Sequence, residues 1–206
     1  MPLFIYINGF PGVGKLTIAN DICKLIPGSK VFHNHLVIDP VAAMLDRGSE
    51  GYDELRADFR RHALHAIATR PELEDTTFIF TDSRESSAAG STGVKDYQRA
   101  AEVRGVPFIS IILHCKLDEN LRRLEGRSGG GGESRLSTKL TDGEVLRRLR
   151  ENEQIFRCGG ELELELDVTD MKPSEAARVI VHHAYTVASI KREVPSQQRS
   201  LDVSAL

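Results

Sequence analysis

The sequence predicts an α/β fold in which a parallel β-sheet carries helices on both faces. Three observations lead there. Five short, apolar, β-rich runs alternate with seven longer stretches of helical spacing along the chain, the pattern of successive βαβ units. The run Phe108-Ile109-Ser110-Ile111-Ile112-Leu113 is almost continuously apolar, as expected of a central strand buried on both faces. A length of 206 residues, 40% hydrophobic and 28% charged, suits one globular domain with enough chain to bury a core.

Strands are expected at residues 3–7, 30–33, 76–81, 107–114 and 162–168, and helices at 16–25, 37–45, 52–69, 94–104, 118–126, 142–156 and 173–188. The first strand stops at Gly9-Phe10-Pro11-Gly12-Val13-Gly14-Lys15-Leu16-Thr17, and a helical pattern follows. A strand, a glycine-rich loop ending in Gly-Lys and a helix together make a phosphate cradle. Gly9, Gly12 and Gly14 let the backbone turn tightly and bring its N–H groups up to phosphate oxygens. The helix starting near Lys15 adds its positive dipole end and unpaired N–H groups. Lys15 supplies a mobile charge able to follow a phosphoryl group during transfer. The chain is therefore expected to bind a nucleoside phosphate.

The loop departs from the commonest form, because Leu16 stands where a Mg²⁺-ligating hydroxyl would follow Gly-Lys and Thr17 comes one residue later. The pattern Gly-x-Pro-Gly-x-Gly-Lys-x-Thr resembles the loop of adenylate kinases and related small P-loop kinases. That resemblance implies a nucleotide site of Gly9, Pro11, Gly12, Val13, Gly14, Lys15, Leu16 and Thr17. It also implies that Thr17 contacts a phosphate and that Mg²⁺ is held largely through water, and it counts against a switch GTPase.

Ligands of an open parallel sheet bind at the carboxyl ends of its strands, so the residues after strands two and three carry most weight. His33-Asn34-His35-Leu36-Val37-Ile38-Asp39 offers two imidazoles, an amide and a carboxylate to a polar acceptor and its proton. His33, Asn34 and His35 are thus candidate substrate contacts, and His35 and Asp39 candidate catalytic groups. The alternative is structural: Asn34 as a helix cap, and Asp39 as a cap before Pro40. In the helix 52–69, Leu55, Phe59, Ala63 and Ile67 form an apolar stripe. Its arginines then lie on a solvated face, although Arg56 and Arg60, four apart, can also clamp an anionic substrate. After strand three, Thr81-Asp82-Ser83-Arg84-Glu85 places a carboxylate beside the loop, where it holds Mg²⁺ through water or caps a turn. The segment resembles the Asp-Gly-x-Pro-Arg stretch of adenylate kinases. By that resemblance Asp82 organises the metal and Arg84 contacts substrate or phosphate.

Arg127-Ser128-Gly129-Gly130-Gly131-Gly132-Glu133-Ser134-Arg135 follows the short helix carrying Arg122 and Arg123. Its composition cannot pack and reads as a mobile surface segment. Small P-loop kinases place an arginine-bearing lid here, so the resemblance gives Arg127 a catalytic role and Arg123 a nucleotide contact, with a lid spanning about 122–141. Thr169-Asp170-Met171-Lys172-Pro173-Ser174-Glu175 starts the last helix, with Pro and an acidic residue in its first turn. Beyond Pro195 the chain is polar and irregular.

A net charge of −3 gives no electrostatic case for nucleic acid or membrane partners. The three cysteines, Cys23, Cys115 and Cys158, are widely spaced and read as reduced thiols rather than a metal site or disulfide framework. The chain enters a strand at once, without a basic segment or long apolar run, so the cytoplasm is the expected compartment.

The glycine-rich loop, Phe32-His33-Asn34-His35-Leu36-x-x-Asp39 and Lys139-Leu140-Thr141-Asp142 together resemble a broad group of AAA-type P-loop proteins. These are described as shikimate-kinase-like or chloramphenicol-phosphotransferase-like. The resemblance covers residues 1 to about 188. It implies a P-loop NTPase fold with strand order 2-3-1-4-5 and a mobile lid, as a kinase domain of residues 1–190 followed by a tail of 191–206. It further implies transfer of the γ-phosphoryl group of ATP, with Mg²⁺, to a hydroxyl of a small metabolite, by a monomer or homodimer. A nucleoside or nucleotide kinase, a kinase of antibiotics or other secondary metabolites, and a non-catalytic nucleotide-binding regulator are the alternatives.

Overall fold

The computed structural model describes residues 1–126 and 140–193. Strands β1 (Phe4–Asn8), β2 (Lys30–His33), β3 (Phe78–Thr81), β4 (Phe108–His114) and β5 (Glu163–Asp167) form one sheet in the order β2-β3-β1-β4-β5. Every pairing is parallel. The helices among the described residues are α1 (Lys15–Leu25), α2 (His35–Ala42), α3 (Tyr52–Thr69), α4 (Ala88–Arg104), α5 (Leu117–Glu125), α6 (Gly143–Asn152) and α7 (Pro173–Glu193).

Alternation along β1 separates two cores. Leu3, Ile5 and Ile7 point to an aliphatic layer with Ile18 and Ile22 of α1 and Ala177, Ile180 and Ala184 of α7. Phe4 and Tyr6 point the other way, to Leu64 and Ile67 of α3, Val94 and Tyr97 of α4, and Phe78 and Phe80 of β3. In that aromatic layer Phe4 meets Phe80 edge-on at 5.0 Å and Tyr6 meets Tyr97 at 4.9 Å. Each such buried side chain contributes roughly 1.5–3 kcal/mol relative to exposure. A strand covered on both faces needs an unbroken apolar run, which is why β1 and β4 are legible in the sequence. No described helix is long and apolar enough to cross a membrane.

Several element boundaries depart from expectation. Helix α4 starts at Ala88, six residues before the expected 94. Ser87 caps it by accepting a hydrogen bond from Gly90 N at 3.0 Å, and a Cβ on Gly90 would stand 2.0 Å from Glu85 O. The Gly-Ser-Thr-Gly start is a weak helix former that only this close approach explains. Helix α6 stops at Asn152 rather than 156, because the chain turns to lie along the segment after β3. There Ser86 N donates to Gln154 O (2.7 Å) and Phe156 N to Arg84 O (2.9 Å). Helix α7 is described as far as Glu193, past the expected 188. On α3 the fully buried face is Tyr52, Arg60, Leu64 and Ile67. Phe59, placed in the apolar stripe by spacing, is 39% exposed. The glycine run expected to form a lid lies outside the described residues, as do Arg127, Arg135 and Lys139.

Candidate active site

The parallel register brings Asn8, His33, Thr81 and His114 to one edge of the sheet, and the glycine-rich loop sits over its centre. Its curvature is fixed from behind. Gly12 has φ +89°, and a Cβ there would lie 2.6 Å from Asn120 Nδ2, so no other residue fits without displacing α5. Asn120, fully buried on α5, donates to Pro11 O at 2.8 Å. Arg150 of α6 donates to Asn120 Oδ1 at 3.0 Å and stacks over the Phe10 ring at 5.5 Å. Lys15 Nζ donates to the carbonyls of Gly9 and Phe10, at 2.6 and 2.8 Å, so the cation is folded back onto the loop that would present it to phosphate.

The loop is a shared wall between two cavities. The first, about 760 Å³, is bounded by Pro11, Gly12, Lys15, Leu16 and Thr17 on one side and His33, Asn34 and His35 on another. Ile38, Arg47, Tyr52, Asp53 and Arg56 close it, with Thr81 and Ser83 at its base. The second, about 620 Å³, is bounded by Gly12, Val13, Gly14, Thr17 and Ile18 together with Arg122, Arg123 and the turn from Val168 to Pro173. Gly12 and Thr17 border both.

His33, Asn34 and His35 therefore meet the loop across the first cavity. His35 Nδ1 lies 3.1 Å from Asp39 Oδ1, one turn along α2. Asp39 is not among the residues lining the first cavity. Nor is it a helix cap. Helix α2 begins at His35 and carries Pro40 inside it. The Asn34 side chain makes no cap either, its amide lying 3.4 Å from Asp82 Oδ1.

Asp82 is fully buried behind the wall. Arg84 Nε donates to its Oδ2 at 2.7 Å and Ser83 N to its Oδ1 at 2.9 Å. Burial by itself would raise this carboxyl's pKa. The Arg84 charge and hydrogen bond, then Ser83 N–H and Arg56, outweigh it and hold the pKa below the usual value. Arg84 is consequently spent on Asp82 and does not line the first cavity; the arginines that do are Arg47 and Arg56. Arg60 makes no clamp with Arg56, since its guanidinium is buried against Asp96 at 2.6–2.9 Å. Arg123 borders the second cavity, but its donors reach Val13 O (3.0 Å), Val168 O (2.7 Å) and Glu119 (2.6 Å). It braces the loop against the turn after β5. Among the described residues no cluster of three or more His, Cys, Asp or Glu side chains is arranged to hold a metal.

Sequence reasoning missed Asn8. Fully buried at the end of β1, its Oδ1 accepts from Gly9 N (3.0 Å) and Arg84 N (2.8 Å). Its Nδ2 donates to Arg84 O (3.0 Å) and Phe156 O (3.1 Å). One amide thus ties the loop, the Asp82 segment and the strip after α6 together. A polar residue ending an otherwise apolar strand was the available signal.

A parallel sheet in this order, with a glycine-rich loop joining β1 to α1, is the fold of the small P-loop kinases. Among solved structures, a gluconokinase from Sinorhizobium meliloti superposes with a TM-score of 0.62 at 15% identity, covering 93% of this chain and 97% of that one. A protein described as a kinase from Chloroflexus aurantiacus gives 0.60 at 17% identity, covering 90% and 97%. The APS kinase of Mycobacterium tuberculosis, solved with AMPPNP and APS, gives 0.54 at 16% identity, covering 89% and 98%. At these identities the likeness is one of fold. No known sequence family and no curated protein matches the chain.

Proposed function

We propose that this protein is a phosphotransferase that moves the γ-phosphoryl group of ATP to a hydroxyl of a small metabolite. The observation that carries this reading is the phosphate loop standing between two cavities, with an oriented imidazole in one of them. The nucleoside would occupy the cavity beside Ile18, Val168 and Met171, whose apolar flanks and backbone groups suit a base. Its phosphates would run along the N–H groups of Gly12, Val13 and Gly14, and Lys15 would exchange the Gly9 and Phe10 carbonyls for phosphate oxygen.

The acceptor would lie in the first cavity, against His33, Asn34 and His35. With Nδ1 held by Asp39, proton acceptance falls to His35 Nε2. A bond forms between the acceptor oxygen and the γ-phosphorus, the bond from that phosphorus to the β,γ-bridging oxygen breaks, the hydroxyl proton goes to His35, and ADP leaves. The chain's donor set fits Mg²⁺ carried in with the nucleotide, which usually keeps several waters and needs few protein ligands. The Thr17 hydroxyl, on the wall of both cavities, is the group that would hold it, whereas the Asp82 carboxylate has no exposure to solvent and is taken by Arg84 and Ser83. Bound there, the ion would neutralise phosphate charge.

The experiment is ADP release with and without pooled metabolites. ADP should appear faster when the acceptor is present, and Lys15→Ala should abolish the stimulation. Nucleotide binding without any acceptor-dependent turnover would instead favour a binding protein.

A further inference from the structure

The first cavity has a charge imbalance that phosphate binding does not account for. Lys15, Lys24, Arg47 and Arg56 line it, against two carboxylates, Asp21 and Asp53. Lys15 belongs to the phosphate loop, Lys24 is matched by Asp21 at 2.6 Å, and Arg47 is exposed to solvent, where screening weakens it. Arg56 is different. Its side chain is only 22% exposed, yet its ion pair among the described residues is a 3.7 Å contact to Asp53, itself 92% exposed. Such a pair contributes little. Burial, and then the like charge of Arg84, lowers the Arg56 pKa, and the opposing charges of Asp82 and Asp53 do not offset it. A guanidinium so placed is costly unless an anion meets it.

One helical turn earlier stands Tyr52, 4% exposed. Its hydroxyl is buried and has no hydrogen-bond partner among the described residues. Buried phenols usually find one. Tyr52 and Arg56 are i and i+4 on α3, so they share a face, and both line the cavity. Two independent features, an underpaired guanidinium and an orphaned phenol, thus converge on one wall.

We propose that Arg56 and Tyr52 form a carboxylate subsite and that the acceptor is a hydroxy acid. The inference rests on the phosphotransferase reading above. A guanidinium presents two parallel N–H groups that match a planar carboxylate, and the phenol adds a third donor. One such cation balances a single negative charge, not the near-double charge of a phosphate ester.

The test follows ATP-dependent phosphorylation by mass on glycerate, threonate and gluconate, with the primary amides of the same acids and glycerol 3-phosphate in parallel. The acids should turn over with kcat/KM at least about tenfold above the amides. Arg56→Gln should erase that difference by raising the acid KM about 10²-fold, with the KM for ATP unchanged. Tyr52→Phe, which preserves the packing, should raise the acid KM about fivefold. Preference for the amides or for glycerol 3-phosphate, or an Arg56→Gln enzyme that still separates acid from amide, overturns the subsite and leaves the kinase reading intact. Absence of turnover with every acceptor counts against the kinase reading. The subsite is then decided by calorimetric titration of gluconate into the AMPPNP-loaded protein: binding that Arg56→Gln abolishes supports it, and no binding overturns it.

Discussion

Arg84 Nε donates to Asp82 Oδ2 at 2.7 Å, and the carboxylate that receives it has no exposure to solvent. The pair lies directly beneath the phosphate loop, tied to it through Asn8. A buried ion pair adds little net stability, but removing one partner strands the other.

That asymmetry yields a signed prediction for Arg84→Ala. In the wild type the Asp82 pKa is depressed. Its contribution is present above the unfolded value of about 3.9 and lost only as pH falls through the folded pKa. Without Arg84, burial dominates and the folded pKa moves above the unfolded one, so the sign reverses. The variant should lose about 3–5 kcal/mol at neutral pH, and the deficit should shrink as the solution is acidified toward pH 4.5. Urea unfolding at both pH values measures this, and an equal deficit at both would contradict it.

Asn8→Asp tests the amide that joins three segments. The substitution keeps the shape but removes the two N–H donors to Arg84 O and Phe156 O. Leaving those carbonyls facing a carboxylate should cost roughly 2–4 kcal/mol. Chemical denaturation reports the loss, and a change under 0.5 kcal/mol, the scale of surface substitutions, would show that the hub is not needed.

Gly90→Ala should destabilise although alanine is the better helix former by about 1 kcal/mol. The new methyl would meet Glu85 O at 2.0 Å, a backbone atom that cannot swing aside. A net loss of about 1–3 kcal/mol is expected, read from thermal melts against wild type. A gain would mean that the 84–86 segment yields readily.

His35→Ala should lower acceptor-dependent kcat by roughly 10²–10⁴ while the KM for ATP stays near wild type. Asp39→Asn, which can still hydrogen-bond Nδ1 but carries no charge, should cause a smaller fall. Steady-state kinetics on the same acceptor separates the two. If Asp39→Asn were the worse variant, the carboxylate would be acting on substrate directly.

Much of the fold was legible because local pattern and burial coincide. Apolar runs of strand length mark β1 and β4, since parallel strands are covered on both faces, and the glycine-rich loop is marked by the glycines its positive φ at Gly12 and Gly14 requires. The start of α4 was not legible. Its glycines oppose helix formation locally and are required only because residues 84 and 85 pack against them. The buried face of α3 was displaced by Arg60, whose partner Asp96 lies 36 residues away.

The site divides along the same line. Sequence alone picked out the glycine-rich loop, the His33–Asp39 segment and the Asp82 segment as candidates, because each sits at the end of a strand and carries its polar groups within a few consecutive residues. Only the tertiary structure decided how those residues are used. It set Asp39 within 3.1 Å of His35, spent Arg84 on Asp82 and Arg60 on Asp96, and placed Tyr52 and Arg56 on the cavity wall. Charges find their partners across the fold through distance and burial, and neither quantity is written in the spacing of residues along a chain.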